Sequence, residues 1–265
     1  MTAPLSPTEF RDAVYDMCGE RWWNRESPLF DFLRDHLSVE GARIFATEHC
    51  VFTDRFPRWS GNIIGNCPVI EARRNRIANL FQEEVHDPTI NQGHYDSMVA
   101  FAVSLGADRG EVIAYNGATH TIMAVAYWDW VSRAKPWLES LMAIGVLELI
   151  CSIEIANRYN AIPLNDPRTW ESLQGLMSDG QQVDMSHWVA AEVADGPEGG
   201  HGDQALDIVT KYADTAEKQQ ACLEALAESI DVFSFQYDMI GQRALEATKT
   251  VRRVGSAYAR AAEAS

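Results

Sequence analysis

Two adjacent carboxylates and a histidine lie in one short stretch of the sequence. Glu83 and Glu84 come near the end of an apolar-periodic segment, and His94 follows Glu84 by ten residues. In a straight helix this spacing turns the chain by about 1000°, which places the two side chains roughly 80° apart. Pro88 and Gly93 interrupt the helix between them, and the resulting bulge can bring both groups to one site. A carboxylate and an imidazole that converge inside a helical protein are typical ligands of non-haem iron or manganese.

The alternative is an exposed acidic helix end beside an incidental histidine. A second carboxylate favours a site, because Glu148 is flanked by apolar residues on both sides. Burying a carboxylate costs free energy unless it is paired, hydrogen-bonded or bound to a metal. We therefore expect Glu148 either to bind a metal or to pair with an arginine on a neighbouring helix.

A third group combines histidines with an aspartate near a glycine-rich run. His187 and Asp195 are eight residues apart, on one stripe of a predicted helix. His201 follows the glycine-rich run and could also be a surface residue. The full candidate set contains three carboxylates and up to three imidazoles: Glu84, Glu148, Asp195, His94, His187 and His201. Such a set on four helices is typical of di-iron and di-manganese bundles.

Other chemistries find less support in the sequence. It contains no GxGxxG, P-loop, GxSxG or HExxH motif. The adjacent His49 and Cys50 point to different faces of a helix, so a cysteine nucleophile is not expected. The five cysteines have no CxxC spacing and fit a reducing compartment.

The composition narrows the classes of partner. A net charge of −16 argues against nucleic acid or an anionic membrane as a partner. No stretch approaches twenty uninterrupted apolar residues, and the N-terminus lacks the basic and apolar parts of a signal peptide. We therefore expect a cytoplasmic protein that acts on a small molecule, with a monomer and a homodimer both open.

The elements that would position the candidate groups are helices. Ser6 followed by Pro7 predicts the start of a first helix. Gly41–Phe56 has the apolar periodicity of a long buried helix, and the Pro- and Gly-rich run after it predicts a break. Trp137–Tyr159 is apolar on almost every face, so we predict one continuous helix at the centre of a bundle.

No segment has the alternation of a strand, and the sequence contains no internal repeat or linker. The sequence therefore predicts an all-α protein with a single domain over residues 1–265. Residues 1–40 are expected to form helices that pack on the bundle, and residues 255–265 a frayed tail. A chain of 265 residues is long enough to bury a full core.

Three runs of the sequence resemble a known family. They are FATEHCVFTDRFPRWSGNIIGNCP, ARRNRIANLFQEEVHDPTINQGHYDSM and WLESLMAIGVLELI, in this order. They resemble the heme-oxygenase-like di-iron oxidases and oxygenases, within the broader group that includes thiaminase II and pyrroloquinoline-quinone synthase. The resemblance implies a single bundle of about seven core helices around a central cavity. It also implies two Fe(II) ions and O2 as a co-substrate, used to N-oxygenate, desaturate or cleave amines, amino acids or fatty acids.

The resemblance assigns roles to the first candidates residue by residue. Glu84 and His94 match the carboxylate and histidine of the family's second core helix, and Glu148 matches the carboxylate of the third. The substrate cavity of the family places four further residues as candidates: Glu48, which is also a catalytic candidate, and His120, Tyr127 and Glu192.

The last core helix departs from the family pattern, which is a histidine, an aspartate four residues on and a histidine three further. Asp195 matches the aspartate, but Ala191 then occupies the position of the first histidine. His201 takes the final position only if the glycine-rich run is an insertion, and His187 replaces the missing histidine only if the helix shifts. This departure leaves two outcomes open for the metal site: one tightly bound and one labile iron, or no metal.

Three functions stay open from the sequence. The first is a di-iron enzyme that uses O2 to oxidise a small amine or amino acid. The second is a metal-free enzyme of the same fold that uses Glu48 and Glu84 for acid–base chemistry. The third is a helical binding protein without catalytic activity.

Overall fold

The computed structural model describes residues 3–161, 164–177, 180–194 and 200–262. Across these ranges the chain is helical and contains no strand; an isolated bridge joins Asp87 to Gln92. In chain order, the α-helices are α1 (Pro7–Cys18), α2 (Pro28–Asp35), α3 (Val39–Asn66), α4 (Ile70–Glu84), α5 (His94–Ser104), α6 (Arg109–Ala114), α7 (Thr119–Ala134), α8 (Trp137–Ile144), α9 (Ile153–Arg158), α10 (Pro167–Glu171), α11 (Ser186–Ala194), α12 (His201–Tyr212) and α13 (Ala216–Ala262). The all-α prediction is confirmed.

The first helix begins where the sequence predicts. Ser6 accepts a hydrogen bond from the backbone N–H of Glu9, and the Glu9 carboxylate accepts one from the backbone N–H of Ser6. This reciprocal capping satisfies two N–H groups that the helix itself leaves unpaired. A π-helical turn at Gly19–Trp23 follows α1, and both α2 and this turn pack against α13.

Helix α3 is the central element, since it packs against α4, α5, α7 and α13. It does not break after Phe56, as the sequence predicted, but continues through Pro57 to Asn66. Phe56, Trp59 and Ile63 are all buried on this continuation. Their packing offsets the backbone hydrogen bond that Pro57 cannot donate, so tertiary contacts outweigh the local preference for a break.

The predicted helix over Trp137–Tyr159 is instead three pieces. Helix α8 ends at Ile144, a 3₁₀ segment covers Val146–Cys151, and α9 begins at Ile153. The start of α12 packs on the 3₁₀ segment so closely that a Cβ at Gly202 would lie 2.8 Å from the backbone nitrogen of Leu149. The change of helix type therefore goes with a close contact that only glycine permits.

The interior is rich in aromatic side chains, including the fully buried Trp22, Trp59, Trp128, Trp170 and Trp188. Trp170 and Trp188 stack with their ring centroids 4.5 Å apart. Within the described ranges, no helix is both long and apolar enough to cross a lipid bilayer.

Candidate active site

A cavity of about 110 Å³ lies between α3, α4, α5, the 3₁₀ segment, α11 and α12. Its lining residues are His49, Phe52, Thr53, Phe56, Glu83, His94, Tyr95, Ile144, Leu147, Glu148, Ile150, Cys151, Asn165, His187, Ala191, His201 and Phe233. Most of this wall is apolar. Two carboxylates and four imidazoles are the ionisable groups that the described lining contributes, apart from one thiol and one phenol.

The turn between α4 and α5 brings the first carboxylate and histidine together. Helix α4 ends at Glu84, and α5 begins at His94 directly after Gly93. A Cβ at Gly93 would lie 2.8 Å from the carbonyl of Glu84, so the close return of the chain requires glycine here. The carboxylate that meets His94 belongs to Glu83, whose Oε2 lies 2.9 Å from His94 Nδ1.

Glu84 is therefore not part of the cluster, contrary to the metal and catalytic roles predicted for it. Its side chain is exposed. The inner face of α4 carries Arg76, Asn79 and Glu83, which are spaced by three and four residues. The next residue lies about 100° further around the helix, which turns Glu84 away from the cavity.

His94 lies in the cavity as predicted, and each of its ring nitrogens faces a carboxylate. Nε2 lies 2.9 Å from Oδ2 of the buried Asp87, and Nδ1 faces Glu83. Burial lowers the pKa of His94, but Glu83 and Asp87 outweigh this effect and raise the pKa to about 10. The pKa of Glu83 is lowered, because His94 and His201 outweigh the effect of burial. In the absence of a bound cation, His94 is an imidazolium between two carboxylates.

Glu148 projects from the 3₁₀ segment toward the same cavity. It accepts a hydrogen bond of 3.4 Å from Nη1 of Arg76, whose side chain is 2% exposed. Arg76 also donates to Ser60 and lies over the ring of Phe56, 4.5 Å from its centroid. Burial and the nearby charge of Glu83 raise the pKa of Glu148, although Arg76 opposes them. The expected pairing of Glu148 with an arginine is present, and its carboxylate also lines the cavity, while metal binding by Glu148 stays a prediction.

His201 completes this group from the first residue of α12. Its Nδ1 lies 3.1 Å from Glu83 Oε1 and 3.7 Å from Glu148 Oε2, while its Nε2 contacts the side-chain oxygen of Gln82. If Nε2 donates its proton to Gln82, two states of the ring are left. In the imidazolium, Nδ1 carries a second proton and donates it to the carboxylates. In the neutral ring, the lone pair of Nδ1 faces the two carboxylates, which is favourable only if a cation lies between the nitrogen and the carboxylate oxygens.

Glu83, Glu148 and His201 fit one metal ion. Each offers one ligand atom, and these three atoms lie within 4.8 Å of one another. Carboxylate oxygen and imidazole nitrogen suit iron, manganese and zinc. No further carboxylate belongs to the described lining, so the residues described complete one such site and not two.

Helix α11 supplies His187 to the cavity, with Ala191 one turn later. His187 Nδ1 lies 3.1 Å from Ser97 Oγ and 3.3 Å from the carbonyl of His94, which leaves Nε2 as the acceptor. Burial and the neighbouring histidines lower its pKa well below the usual value, so the ring is neutral. With His187 as the first histidine of the family pattern, the aspartate position falls on Ala191. Asp195 lies outside the described residues.

His49 is a cavity residue for which the sequence predicted no role. Its Nδ1 is hydrogen-bonded to the hydroxyl of the buried Tyr237, and burial lowers its pKa to about 4. Its ring meets that of His187 edge-on, with centroids 5.7 Å apart. The signal that could have found it is its position next to Glu48 in the middle of a helix with aromatic residues on its inner face.

Glu48 does not line this cavity, contrary to its predicted catalytic and substrate-binding roles. It is 1% exposed and accepts hydrogen bonds from Thr121 Oγ1 (2.6 Å), Tyr115 OH (2.6 Å), the backbone N–H of Ala118 (3.2 Å) and Arg243. The step of about 100° from His49 turns it toward α7 and α13. Burial raises the pKa of Glu48, but these donors outweigh that effect and the net pKa is lowered.

The other predicted substrate residues also lie outside the cavity wall. His120 is buried near Glu48, and its Nε2 has no hydrogen-bond partner among the described residues. Tyr127 directs its hydroxyl toward Glu228, at 3.4 Å. Glu192 is exposed on the outer side of α11. The sequence predicted that these residues lie on helices, but it did not predict the rotation of each helix about its axis. That rotation decides which residues face the cavity.

The fold and the site define an all-helical protein with a buried carboxylate–imidazole cavity. No family model matches the chain. Among curated proteins it is similar to a pyrroloquinoline-quinone synthase from Acidiphilium cryptum (strain JF-5), with 28% identity over 244 residues that cover 91% of this chain and 91% of that protein.

Solved structures share the fold at low identity. A TenA homologue from Pseudomonas syringae pv. tomato superposes with a TM-score of 0.63 at 13% identity, over 92% of this chain and 94% of that one. A CADD-like protein of unknown function from Nostoc punctiforme gives 0.66 at 12% identity, over 90% and 99%. A domain of unknown function from Shewanella denitrificans, described as having a heme oxygenase-like fold, gives 0.64 at 13% identity, over 95% of each chain. The chain therefore has the heme-oxygenase-like fold, and its relatives support placement in the superfamily of TenA homologues and pyrroloquinoline-quinone synthase, which includes enzymes.

Proposed function

We propose that the protein is an oxidoreductase that uses O2 to oxidise a small amine, with a metal ion bound by Glu83, Glu148 and His201. The observation that carries this proposal is the approach of His201 Nδ1 to both carboxylates, with the three ligand atoms within 4.8 Å of one another. Two half-buried carboxylates this close repel each other, and a cation between them would relieve that repulsion. Fe(II) in this place would supply the one-electron chemistry that O2 activation needs.

The residues around the cluster would orient it and balance its charge. Asp87 holds His94, and His94 in turn holds Oε2 of Glu83, so the second oxygen of Glu83 stays directed at His201. Arg76 neutralises part of the charge of Glu148 from the opposite side. A cation bound here would add to a site whose net charge is already partly balanced, which favours a divalent ion over a trivalent one.

The cavity supports an amine without a carboxylate as the substrate. Its described lining contains two glutamates and no arginine or lysine, and its one imidazolium, His94, is already paired with Glu83 and Asp87, so an ammonium group is attracted more strongly than a substrate carboxylate. The neutral rings of His187 and His49 can accept a hydrogen bond from the ammonium. A cavity of about 150 Å³ holds benzene, so about 110 Å³ limits the substrate to a comparable or smaller size.

We propose one firmly bound iron rather than two. The di-iron expectation needs a carboxylate on the last core helix; its candidate, Asp195, lies outside the described residues, and the described lining has Ala191 one turn after His187. A second ion would depend on imidazoles and water, which bind it more weakly.

A metal-free oxidase or synthase is the second candidate. It is favoured by the 28% identity to a pyrroloquinoline-quinone synthase and by the neutral imidazoles of His49 and His187. Its acid–base groups would be these histidines. Glu48 and Glu84, which the sequence suggested for that role, do not reach the cavity.

Anaerobic titration with Fe(II) tests the proposal. We expect about one ion per chain, loss of this ion in Glu83→Gln, and retention in the matched control Glu84→Gln. Oxygen uptake is then compared for a pair that differs by one carboxylate, butylamine with norvaline. The amine should support faster uptake. Uptake that persists without metal would favour the second candidate, and equal use of the amino acid would contradict the proposed substrate class.

A further inference from the structure

A groove of about 410 Å³ lies beside α3, and it shares no lining residue with the cavity. The two pockets use different faces of α3, because Arg43, Ile44 and Glu48 line the groove whereas His49 lines the cavity. Helices α6 and α13 contribute to the other walls of the groove. Small-molecule sites typically have volumes of about 300–1,000 Å³, so the groove is large enough to hold a ligand.

Arg43 brings a positive charge to this groove. Its side chain is half-buried, and it forms no ion pair with the residues that the structure describes. Partners are plentiful, since the chain has 38 acidic and 22 basic residues. A guanidinium can bind a carboxylate through two parallel hydrogen bonds. Arg43 is therefore available to a carboxylate that comes from a ligand.

The ion pair of Glu48 and Arg243 forms another part of the wall. Glu48 also accepts hydrogen bonds from Tyr115, Thr121 and the backbone N–H of Ala118, so its carboxylate is fully engaged within the protein. Its negative charge offsets that of Arg243, whose side chain is 38% exposed. The pair adds N–H donors to the groove but almost no net charge.

Two exposed carboxylates, Asp108 and Glu111, line the groove at the start of α6. Asp108 accepts a hydrogen bond of 2.9 Å from the backbone N–H of Glu111 and so caps this helix. Neither carboxylate forms an ion pair within the described ranges. Ile44 and Val112 add apolar atoms to the same lining. The groove therefore combines one unpaired cation on α3, two unpaired carboxylates beside α6 and an apolar part.

We propose that this groove binds a small zwitterion, with its carboxylate on Arg43 and its ammonium group on Asp108 and Glu111. A ligand with charges of both signs complements both walls. A simple acid would pair with Arg43 but would be repelled by the two carboxylates, and a simple amine would leave Arg43 unpaired. Since Ile44 and Val112 can contact an aliphatic side chain, an aliphatic amino acid is the class of ligand that fits this lining.

This ligand class differs from the amine proposed for the cavity. The described lining of the cavity contains no arginine or lysine, whereas two arginines line the groove. An amino acid bound in the groove would occupy a site other than the one at which oxidation is proposed. The inference uses no cavity residue, so it does not depend on the proposed function.

An NMR titration of the isotope-labelled full chain, without added metal, tests the inference with norvaline as the probe. Norvaline should shift the backbone amide signals of residues 106–115. Arg43→Gln should weaken binding at least about tenfold, because it removes the cation that holds the carboxylate. Arg73→Gln is the matched control, at a half-buried arginine on α4 that likewise lacks an ion pair in the described structure. Glu83→Gln, in the cavity, should also bind norvaline as wild type does.

Two analogues of norvaline test the pairing of charges. Pentanoate lacks the ammonium group and butylamine lacks the carboxylate, so each should bind to the groove at least about tenfold more weakly than norvaline. The double variant Asp108→Asn with Glu111→Gln should lose the preference for norvaline over pentanoate. Asparagine is also a good N-cap residue, so this variant keeps the cap of α6.

Several results would overturn the inference. One is the absence of shifts at about 10 mM norvaline, ten times a dissociation constant of about 1 mM. Others are unchanged binding in Arg43→Gln, equal binding of pentanoate or butylamine to wild type, or a preference for norvaline that survives in the double variant. Circular dichroism checks that the variants fold, and the comparison of analogues on wild type needs no variant.

Discussion

Two regions of the molecule bury carboxylates, and they do so in different ways. Glu48 is 1% exposed and accepts hydrogen bonds from two hydroxyl groups, a backbone N–H and Arg243. The cavity instead holds Glu83 and Glu148 together, and their partners are His94, His201 and Arg76. In the first region one charge meets a fixed set of donors. In the second, two charges share His201, and their two imidazole partners can change protonation.

The difference indicates that Glu48 stabilises the fold, whereas Glu83 and Glu148 are able to bind a ligand. The donors of Glu48 come from α7, α13 and the loop before α7, so its charge joins several elements and is balanced by the guanidinium of Arg243. Glu83 and Glu148 face a cavity, and burial raises the pKa of Glu148. Buried charge without full compensation costs stability and is typical of functional sites.

The largest expected effect is a difference in the free energy of unfolding of the metal-free protein between variants that remove the charge of Glu48 or of Glu148. Glu48→Gln should lower the free energy of unfolding by about 3 kcal/mol, because an amide cannot accept from all four donors. Glu148→Gln should change it by about 1 kcal/mol or less, because it removes a charge that burial disfavours and keeps an acceptor for Arg76. Urea denaturation of both variants measures the difference. Equal losses would mean that the two regions do not differ in this way.

The next effect concerns Asp87, which contacts the cluster only through His94. Asp87→Asn should weaken metal binding about tenfold, because residues behind metal ligands typically contribute a factor of 10 to 100. Competition with a chelator under anaerobic conditions gives the affinity. Asp96→Asn, an exposed acid on α5, is the control and should leave the affinity unchanged. An unchanged affinity in Asp87→Asn would remove Asp87 and His94 from the metal site.

The smallest effect is a difference in the pH range over which each region stabilises the metal-free protein. The pKa of Glu48 is lowered on folding, so its contribution is present above the unfolded pKa of about 4.3 and is lost as the pH falls further. The pKa of His94 is raised to about 10, so its contribution is complete below about pH 6.5 and is lost as the pH rises toward 10.

Unfolding experiments on Glu48→Gln and His94→Gln from pH 3 to pH 10 check these opposite trends. The deficit of His94→Gln relative to wild type should shrink by at least about 1.4 kcal/mol, the equivalent of one pKa unit, between pH 6 and pH 10. The deficit of Glu48→Gln should be constant there and shrink only in acid. The same pH profile for both variants would contradict the assignment of charges.

The sequence predicted the helices and the region of the site better than it predicted the direction in which individual side chains point. It placed Glu148, His94, His187 and His201 as candidates, and all four line the cavity. It chose Glu84 where the structure has Glu83. Glu83 and Glu84 are adjacent and of the same residue type, so the sequence does not distinguish them. Only the turn at Gly93 determines which face of α4 lies against His94.

The same uncertainty about side-chain direction explains why Glu48 was predicted to line the cavity, whereas the structure places the adjacent His49 there. Adjacent residues on a helix point about 100° apart, so an error of one residue moves a side chain from the cavity to a different neighbour. The sequence predicted an arginine partner for Glu148 without identifying Arg76, and it did not predict Asp87, because both roles depend on contacts between different elements. Pro57 and the 3₁₀ segment at Val146–Cys151 likewise follow from tertiary packing.

The most direct test is the position of a bound metal. Crystals grown anaerobically with Fe(II) and measured at the iron absorption edge should give one strong anomalous peak among Glu83, Glu148 and His201, and none beside Glu48. The peak should disappear in Glu83→Gln and persist in Glu84→Gln. A peak elsewhere, or no peak at saturating Fe(II), would contradict the view that the cavity carboxylates form a metal site.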